Sequence, residues 1–335
     1  MKKILLAVCA IAVVSLAGCK KDNNDPSDEP GGGGTQYPTG EGIYIPSQKI
    51  ATISVDGELS ETWSWDDWKL DYIVSESDEG SMSTFHYNDY RLSSASSELM
   101  GMPVSLTYNY AGNKLASISA GDMAEIFVTH NASGKIDSLK VDMDNEMVNA
   151  LLNLLLGYMN NGGAKDFGRK VTVNNTDISM ALDWQGDNVS RVIANAQIEG
   201  SATLGEIRSV INIDSLAGSA AAFLSLLGDT TNVPLVVQYN STSEYNHDTH
   251  NNPFCGFYGR LDPSMFSAAN ITQETTSGNV TITATLSIPF IGNLSLPYTY
   301  PIESSTTNTS YTYNNAGYPL TATDDEGVET TYSYK

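Results

Sequence analysis

Trp63-Ser64-Trp65-Asp66-Asp67-Trp68-Lys69-Leu70 decides the fold once it is laid over two later stretches. These are Phe85-His86-Tyr87-Asn88-Asp89-Tyr90-Arg91-Leu92 and Tyr108-Asn109-Tyr110-Ala111-Gly112-Asn113-Lys114-Leu115. The three align without a gap, and their starts lie 22 and 23 residues apart. Each runs aromatic, any residue, aromatic, turn formers, then Lys or Arg followed by Leu. Alternation places both aromatics on one face of a strand, Asp, Asn and Gly free the backbone to reverse, and the leucine returns opposite an aromatic. The pattern predicts a β-hairpin. Looser copies follow at Phe127-Val128-Thr129-His130, leading through Asn131-Ala132-Ser133-Gly134 to Lys135-Ile136, and at Tyr311-Thr312-Tyr313, leading to Pro319-Leu320.

Working outward, Val280 to Leu286 and Thr330 to Tyr334 alternate cleanly. Roughly twenty strand candidates lie between Ile50 and Tyr334, a number that fits a meander, a sandwich or a barrel. Two apolar stretches, 145–158 and 216–227, are rich in Ala, Leu and Met and lack alternation, so they read as short helices covering an open sheet face or barrel mouth. Gly134-Lys135-Ile136-Asp137-Ser138-Leu139 matches Gly205-Glu206-Ile207-Arg208-Ser209-Val210 at an offset of 71, which predicts an internal duplication. The expected fold is all-β: one large antiparallel meander, curved or barrel-like, with two short inserted helices.

At the start, Lys2 and Lys3 precede an apolar run of 13 residues, Ile4 to Leu16. That is the order of a secretory signal, and the run is shorter than the roughly 20 residues a spanning helix needs. Leu16-Ala17-Gly18-Cys19 resembles the lipobox of bacterial lipoproteins. The resemblance implies cleavage before Cys19, acylation of that residue with diacylglycerol and an added chain such as palmitate, and stable membrane anchoring. The chain then divides into a signal at 1–18, a lipidated acidic tether at 19–41 with the run Gly31 to Gly34, and a single β-rich domain at 42–335. Lys20 and Lys21 stand where an aspartate would retain a lipoprotein at the inner membrane, so the family pattern implies the outer membrane. Surface-exposed and periplasmic dispositions both fit.

Net charge is −22 and becomes −24 when Lys2 and Lys3 leave with the signal. Such an acidic surface repels nucleic acid and anionic lipid, which excludes both as expected partners. With Cys9 in the signal and Cys19 lipidated, Cys255 stands alone. A buried structural thiol and no intramolecular disulfide are expected, and no cofactor beyond the covalent lipid on Cys19.

Three tryptophans could stack on sugar faces. Trp63 and Trp65 occupy positions filled by Phe85 and Tyr87 in the next segment, so sheet packing is the stronger reading for them. Trp68 aligns with Tyr90 and Asn113, is the least constrained, and is the best glycan candidate. His247, Asp248 and His250, close to Glu244, form the densest set of metal-ligand types and a candidate weak metal site, against a solvated loop as the favoured alternative. No phosphate loop, nucleophile elbow or dinucleotide fingerprint is present.

The aromatic hairpins resemble the YD-type repeats of large secreted bacterial proteins. The lipobox, the acidic tether, Tyr44-Ile45-Pro46-Ser47-Gln48-Lys49-Ile50 and the hairpins through Lys335 together resemble the lipoprotein family known as domain of unknown function 4595, described as porin-like. That resemblance implies a barrel-like or strongly curved meander outside the cytoplasmic membrane and no particular activity. The many Asn, Ser and Thr residues disfavour a lipid-facing wall. The expected function is a non-enzymatic anchored module, binding or structural, with the membrane as partner through its lipid and a glycan or another envelope protein as further partner. The rivals are a glycan-processing hydrolase with carboxylates in a barrel mouth and a periplasmic envelope-assembly factor.

Overall fold

The computed structural model describes residues 37–76, 81–99, 102–159, 171–210, 228–259, 263–288 and 292–335. The signal, Cys19, the tether up to residue 36 and the helix expected at 216–227 lie outside them. Sixteen strands follow one another as an antiparallel meander, and the last pairs with the first to close a barrel. They are β1 Ile50–Val55, β2 Glu58–Asp66, β3 Lys69–Ser75, β4 Ser81–Asn88, β5 Arg91–Leu99, β6 Met102–Ala111, β7 Lys114–Ser119 and β8 Ala124–His130. The remainder are β9 Ile136–Met143, β10 Thr172–Gln185, β11 Asn188–Thr203, β12 Asn232–Asn251, β13 Ala269–Ile288, β14 Gly292–Tyr313, β15 Pro319–Asp324 and β16 Glu329–Tyr334. Strands are fewer than expected because β12, β13 and β14 run 20, 20 and 22 residues straight through Asn-, Ser-, Gly- and Pro-bearing stretches that look like turns.

The barrel is apolar within and polar without. Along β11, Val192, Ala194, Ala196, Ile198 and Ala202 are buried while Arg191 and Asn195 are exposed. Hydroxyl pairs such as Thr281–Thr299 and Thr312–Thr321 join strands on the outer face at 3.0 and 2.7 Å. This is the inverse of a lipid-facing wall. The lumen is filled from one end by two segments. The connection from β12 to β13 turns inward and buries Phe254, Phe257, Tyr258, Met265 and Phe266, with the Phe257 ring 4.8 to 5.3 Å from Tyr44, Trp63 and Phe85. The strap before β1 enters beside it, and its Tyr44 phenol donates to the Pro253 carbonyl at 2.7 Å.

Two helices sit toward the opposite end. Helix α1, Asn145–Met159, matches expectation; Asp144 caps it by accepting the Met147 N–H at 2.8 Å, and Val148, Leu151 and Leu152 are buried. Helix α2, Leu204–Val210, corrects the expected duplication, because the matching segment at Ile136–Met143 is a strand. Thr203 and Glu206 explain the difference: each side chain bonds the other's backbone N–H, a capping box that commits the second copy to a helix. Cys255 corrects a second expectation. It is half-buried and disulfide-bonded, with its partner outside the described residues, not a buried free thiol.

The three aligned segments are three consecutive hairpins: β2–β3, β4–β5 and β6–β7. Each has its ladder shifted by a bulge just before the second aromatic, at Trp65, Tyr87 and Tyr110, and β10 carries the same shift at Trp184. At three of these four positions the aromatic's polar tip bonds a backbone carbonyl earlier in the chain. Trp65 Nε1 donates to the Ile50 carbonyl at 2.7 Å, Tyr110 Oη to that of Leu92 at 2.8 Å, and Trp184 Nε1 to that of Ile136 at 2.7 Å. In each case the basic residue just before the aliphatic lies over the same ring: Lys49 5.9 Å from Trp65, Arg91 5.6 Å from Tyr110, Lys135 5.1 Å from Trp184. Its head group then reaches past the ring to the turn carbonyls of Asp67, Gly112 and Gly186, all residues with positive φ. These latches join one hairpin tip to another around the rim.

The wall is uneven, and that leaves an edge. Among the described residues, β14 pairs with β13 from Gly292 to Asn308 but with β15 only from Thr309 onward. Within the open stretch stand Pro297 and Pro301, opposite Thr283 and Asn279. A proline has no N–H to give β13, so at both positions the backbone faces the free side and leaves it short of donors, a device that blunts strand addition.

Lys135→Ala removes a cation over Trp184 and a bond to the Gly186 carbonyl, and should cost on the order of 1–2 kcal/mol in chemical denaturation. Lys140→Ala, which removes a 3.6 Å pair between two well-exposed side chains, should cost less than about 0.5 kcal/mol. The double variant Pro297→Thr/Pro301→Thr should self-associate in a concentration-dependent way by light scattering, and an unchanged mass would show that the prolines do not guard the edge.

Candidate functional site

The inserted strap, the plug and the hairpin tips meet at one end of the barrel. Glu41 is buried there and accepts the Leu115 N–H at 2.6 Å, while His130 Nε2 approaches its carboxylate at 3.0 Å. Gly42 accepts the Leu92 N–H at 2.8 Å. Its φ is +74°, and a Cβ at that point would collide with the Tyr110 phenol, so glycine alone allows the strap to pass. The strap is thus bonded to the return strands of two hairpins and to β8.

Between the strap and the β4–β7 tips lies a cavity of about 410 Å³. Pro38 and Ile43 form its strap side, and Tyr90, Arg91, Tyr108 and Tyr110 its barrel side, with Asn88 and Asp89 at the turn. Burial pushes the Tyr108 and Tyr110 hydroxyls far above their usual range, helped at Tyr108 by the neighbouring phenols and, at Tyr110, opposed by Arg91 and helped by the Glu41 carboxylate, so both are neutral hydrogen-bonding groups at any physiological pH. Arg91 holds the Gly112 carbonyl at 3.1 Å and the Asn113 side chain at 2.8 Å. The cavity therefore offers the Tyr90 ring at its mouth and amide, carboxylate and guanidinium groups at its edge, while the Tyr108 and Tyr110 hydroxyls donate to the Tyr258 and Leu92 carbonyls. Aromatic faces with convergent polar groups suit a ring-shaped polyol.

Each tryptophan has a distinct place. Trp63 is 1% exposed inside the barrel, where its indole donates to Glu61 at 2.9 Å. Trp65 is half-buried, with its N–H on Ile50 and Lys49 above its ring. Trp63 is therefore shut off from a ligand, and the Trp65 ring is engaged by Lys49. Trp68 stands half-exposed at a tip, 4.6 Å from Tyr90 and 5.5 Å from Tyr87. It backs Tyr90 instead of lining the cavity itself. Tyr90 is the residue that sequence reasoning passed over, although the gapless alignment had already set it beside Trp68.

The histidine cluster is not assembled into a metal site. His247 turns inward to Ser267 Oγ at 2.9 Å, and burial lowers its pKa against the opposing pull of Asp248. His250 stacks flat on Tyr313 with centroids 3.8 Å apart. Asp248 accepts from the His250 and Asn270 backbones at 2.9 and 3.1 Å and from the Tyr313 hydroxyl. Its oxygens hold a loop together. Among the described residues no group of three or more His, Cys, Asp or Glu is placed to hold an ion.

A second cavity of about 190 Å³ lies among Asn252, Ser264, Asn270, Tyr311 and Tyr332. The larger cavity carries one carboxylate, Asp89, and the smaller none, so neither holds the carboxylate pair, about 5 to 10 Å apart, on which glycosidases rely.

No protein-family model matches the chain, and no curated protein matches it. Among solved structures, a variant of the Photorhabdus luminescens Tc holotoxin pore is similar over 78% of this chain and 12% of that chain, at 10% identity and a TM-score of 0.23. This chain thus spans about an eighth of the length of that one.

Proposed function

We propose that the chain is a lipid-anchored binding module that captures glycan at the hairpin-tip rim of its barrel. The observation that carries this reading is the Tyr90 face, backed by Trp68, at the mouth of the 410 Å³ cavity between strap and barrel. Planar rings gain from contact with the apolar face of a sugar, while Asn88, Asp89 and Arg91 are placed to meet its hydroxyls. A filled lumen and a cavity with a single carboxylate favour holding a ligand over cleaving it.

The anchor is the second half of the proposal. The lipobox-like Leu16-Ala17-Gly18-Cys19 and the Lys20-Lys21 start of the tether support an acylated Cys19 at the outer membrane; in this reading the Cys255 disulfide belongs to the unprocessed chain, because Cys9 leaves with the signal and the Cys19 sulfur carries lipid. The strap at residue 37 emerges at the same end as the cavity, so the tether leads directly into one wall of the site.

Two measurements check the proposal. On a glycan array the protein should bind selected oligosaccharides without hydrolysing them, and Trp68→Ala should weaken that binding at least tenfold; release of reducing sugar would overturn the reading. In cells fed labelled palmitate, the wild type should carry label in the membrane fraction and Cys19→Ser should lose both label and membrane association.

A further inference from the structure

The turn that carries Tyr90 has an unusual backbone. Asp89 has φ +55° and Tyr90 φ +108°, two left-handed residues in succession. The chain makes a similar turn between β1 and β2 with Asp56 at +51° and Gly57 at +81°, and there the second residue is glycine. At the positions matching Tyr90 in the neighbouring hairpins, Trp68 and Asn113 are not at positive φ. A tyrosine at +108° is strained in a way glycine is not. Strain of this kind persists only where the surrounding structure holds it, and it clusters at binding and catalytic sites.

The ring's surroundings say what that is. One face of Tyr90 is supported by Trp68 at 4.6 Å, and Tyr37 of the strap meets it edge-on at 6.0 Å. The residue also lines the 410 Å³ cavity with Asn88, Asp89 and Arg91. Among the three matched tip residues it is the one that both carries strain and borders the cavity. We infer that Tyr90 is held in a strained turn to serve as the stacking floor of the site, and that the ligand it takes is a neutral hexopyranose laid on the ring with its hydroxyls toward Asn88, Asp89 and Arg91. The inference rests on the binding reading above and assigns its central contact to Tyr90, with Trp68 as the positioning residue behind it.

The test uses full-length protein in detergent, an array of glucose-, galactose- and mannose-containing oligosaccharides, and two variants. Tyr90→Gly should raise the thermal unfolding midpoint, because the strain is relieved, and should weaken binding of the best array glycan at least tenfold. Tyr90→Phe should keep the affinity within about threefold, since the stacking face remains. A lower unfolding midpoint in Tyr90→Gly would show that the ring is packing, and wild-type affinity in that variant would show that it is no ligand contact; either overturns the inference while the binding reading stands. Absence of glycan binding by the wild type would overturn both.

Discussion

The rim latch, a basic side chain crossing an aromatic ring to reach a turn carbonyl, is the interaction on which the arrangement depends. A barrel of short antiparallel hairpins gains its ladder bonds within and between strands, but nothing in a ladder fixes where the tips stand. The latch does this with three contacts at once: aromatic N–H or O–H to an aliphatic residue's carbonyl, cation over ring, and cation to turn carbonyl. Lys49, Arg91 and Lys135 each complete it. Because the aliphatic partners Ile50, Leu92 and Ile136 are buried in the core, the latch connects rim and core directly. Interactions of this type are individually modest and act here as a series around one edge.

That ordering makes the rim usable as a surface. The strap can thread between tips because its acceptors find fixed donors at Leu92 and Leu115, and the cavity exists because the tips on one side and the strap on the other are both held. Arg91 belongs to both systems: it latches β6–β7 and borders the cavity. At the opposite end α1 and α2 bury apolar residues such as Leu151, Leu152 and Ile207 in the core.

Much of this was legible in the residues. The spacing of Trp63, Phe85 and Tyr108 marked the hairpins, and Lys or Arg before Leu was part of the pattern, although its partner, a ring on another hairpin, is invisible in a local reading. Closure was not legible, because it joins Thr52 to Ser333 across nearly the whole chain and β1 and β16 look like any other strands. The long strands were misjudged since turn formers such as Pro297 and Pro301 can sit on an edge where no donor is needed. The Thr203–Glu206 capping box fits the sequence pattern, but the similarity of the next residues to Gly134-Leu139 points to a duplication instead. Tyr90 was set beside Trp68 by alignment, yet its significance lies in a backbone angle that no residue pattern reports.

The most direct test of the ordered rim is site-resolved hydrogen exchange on the full chain, comparing turns at the two ends. The account predicts that the latched tips around Asp67, Gly112 and Gly186 exchange slowly, near the rate of their flanking strands, while the unlatched turn positions Gly57 and Gly121 exchange fast. Equal, fast exchange at both ends would contradict it.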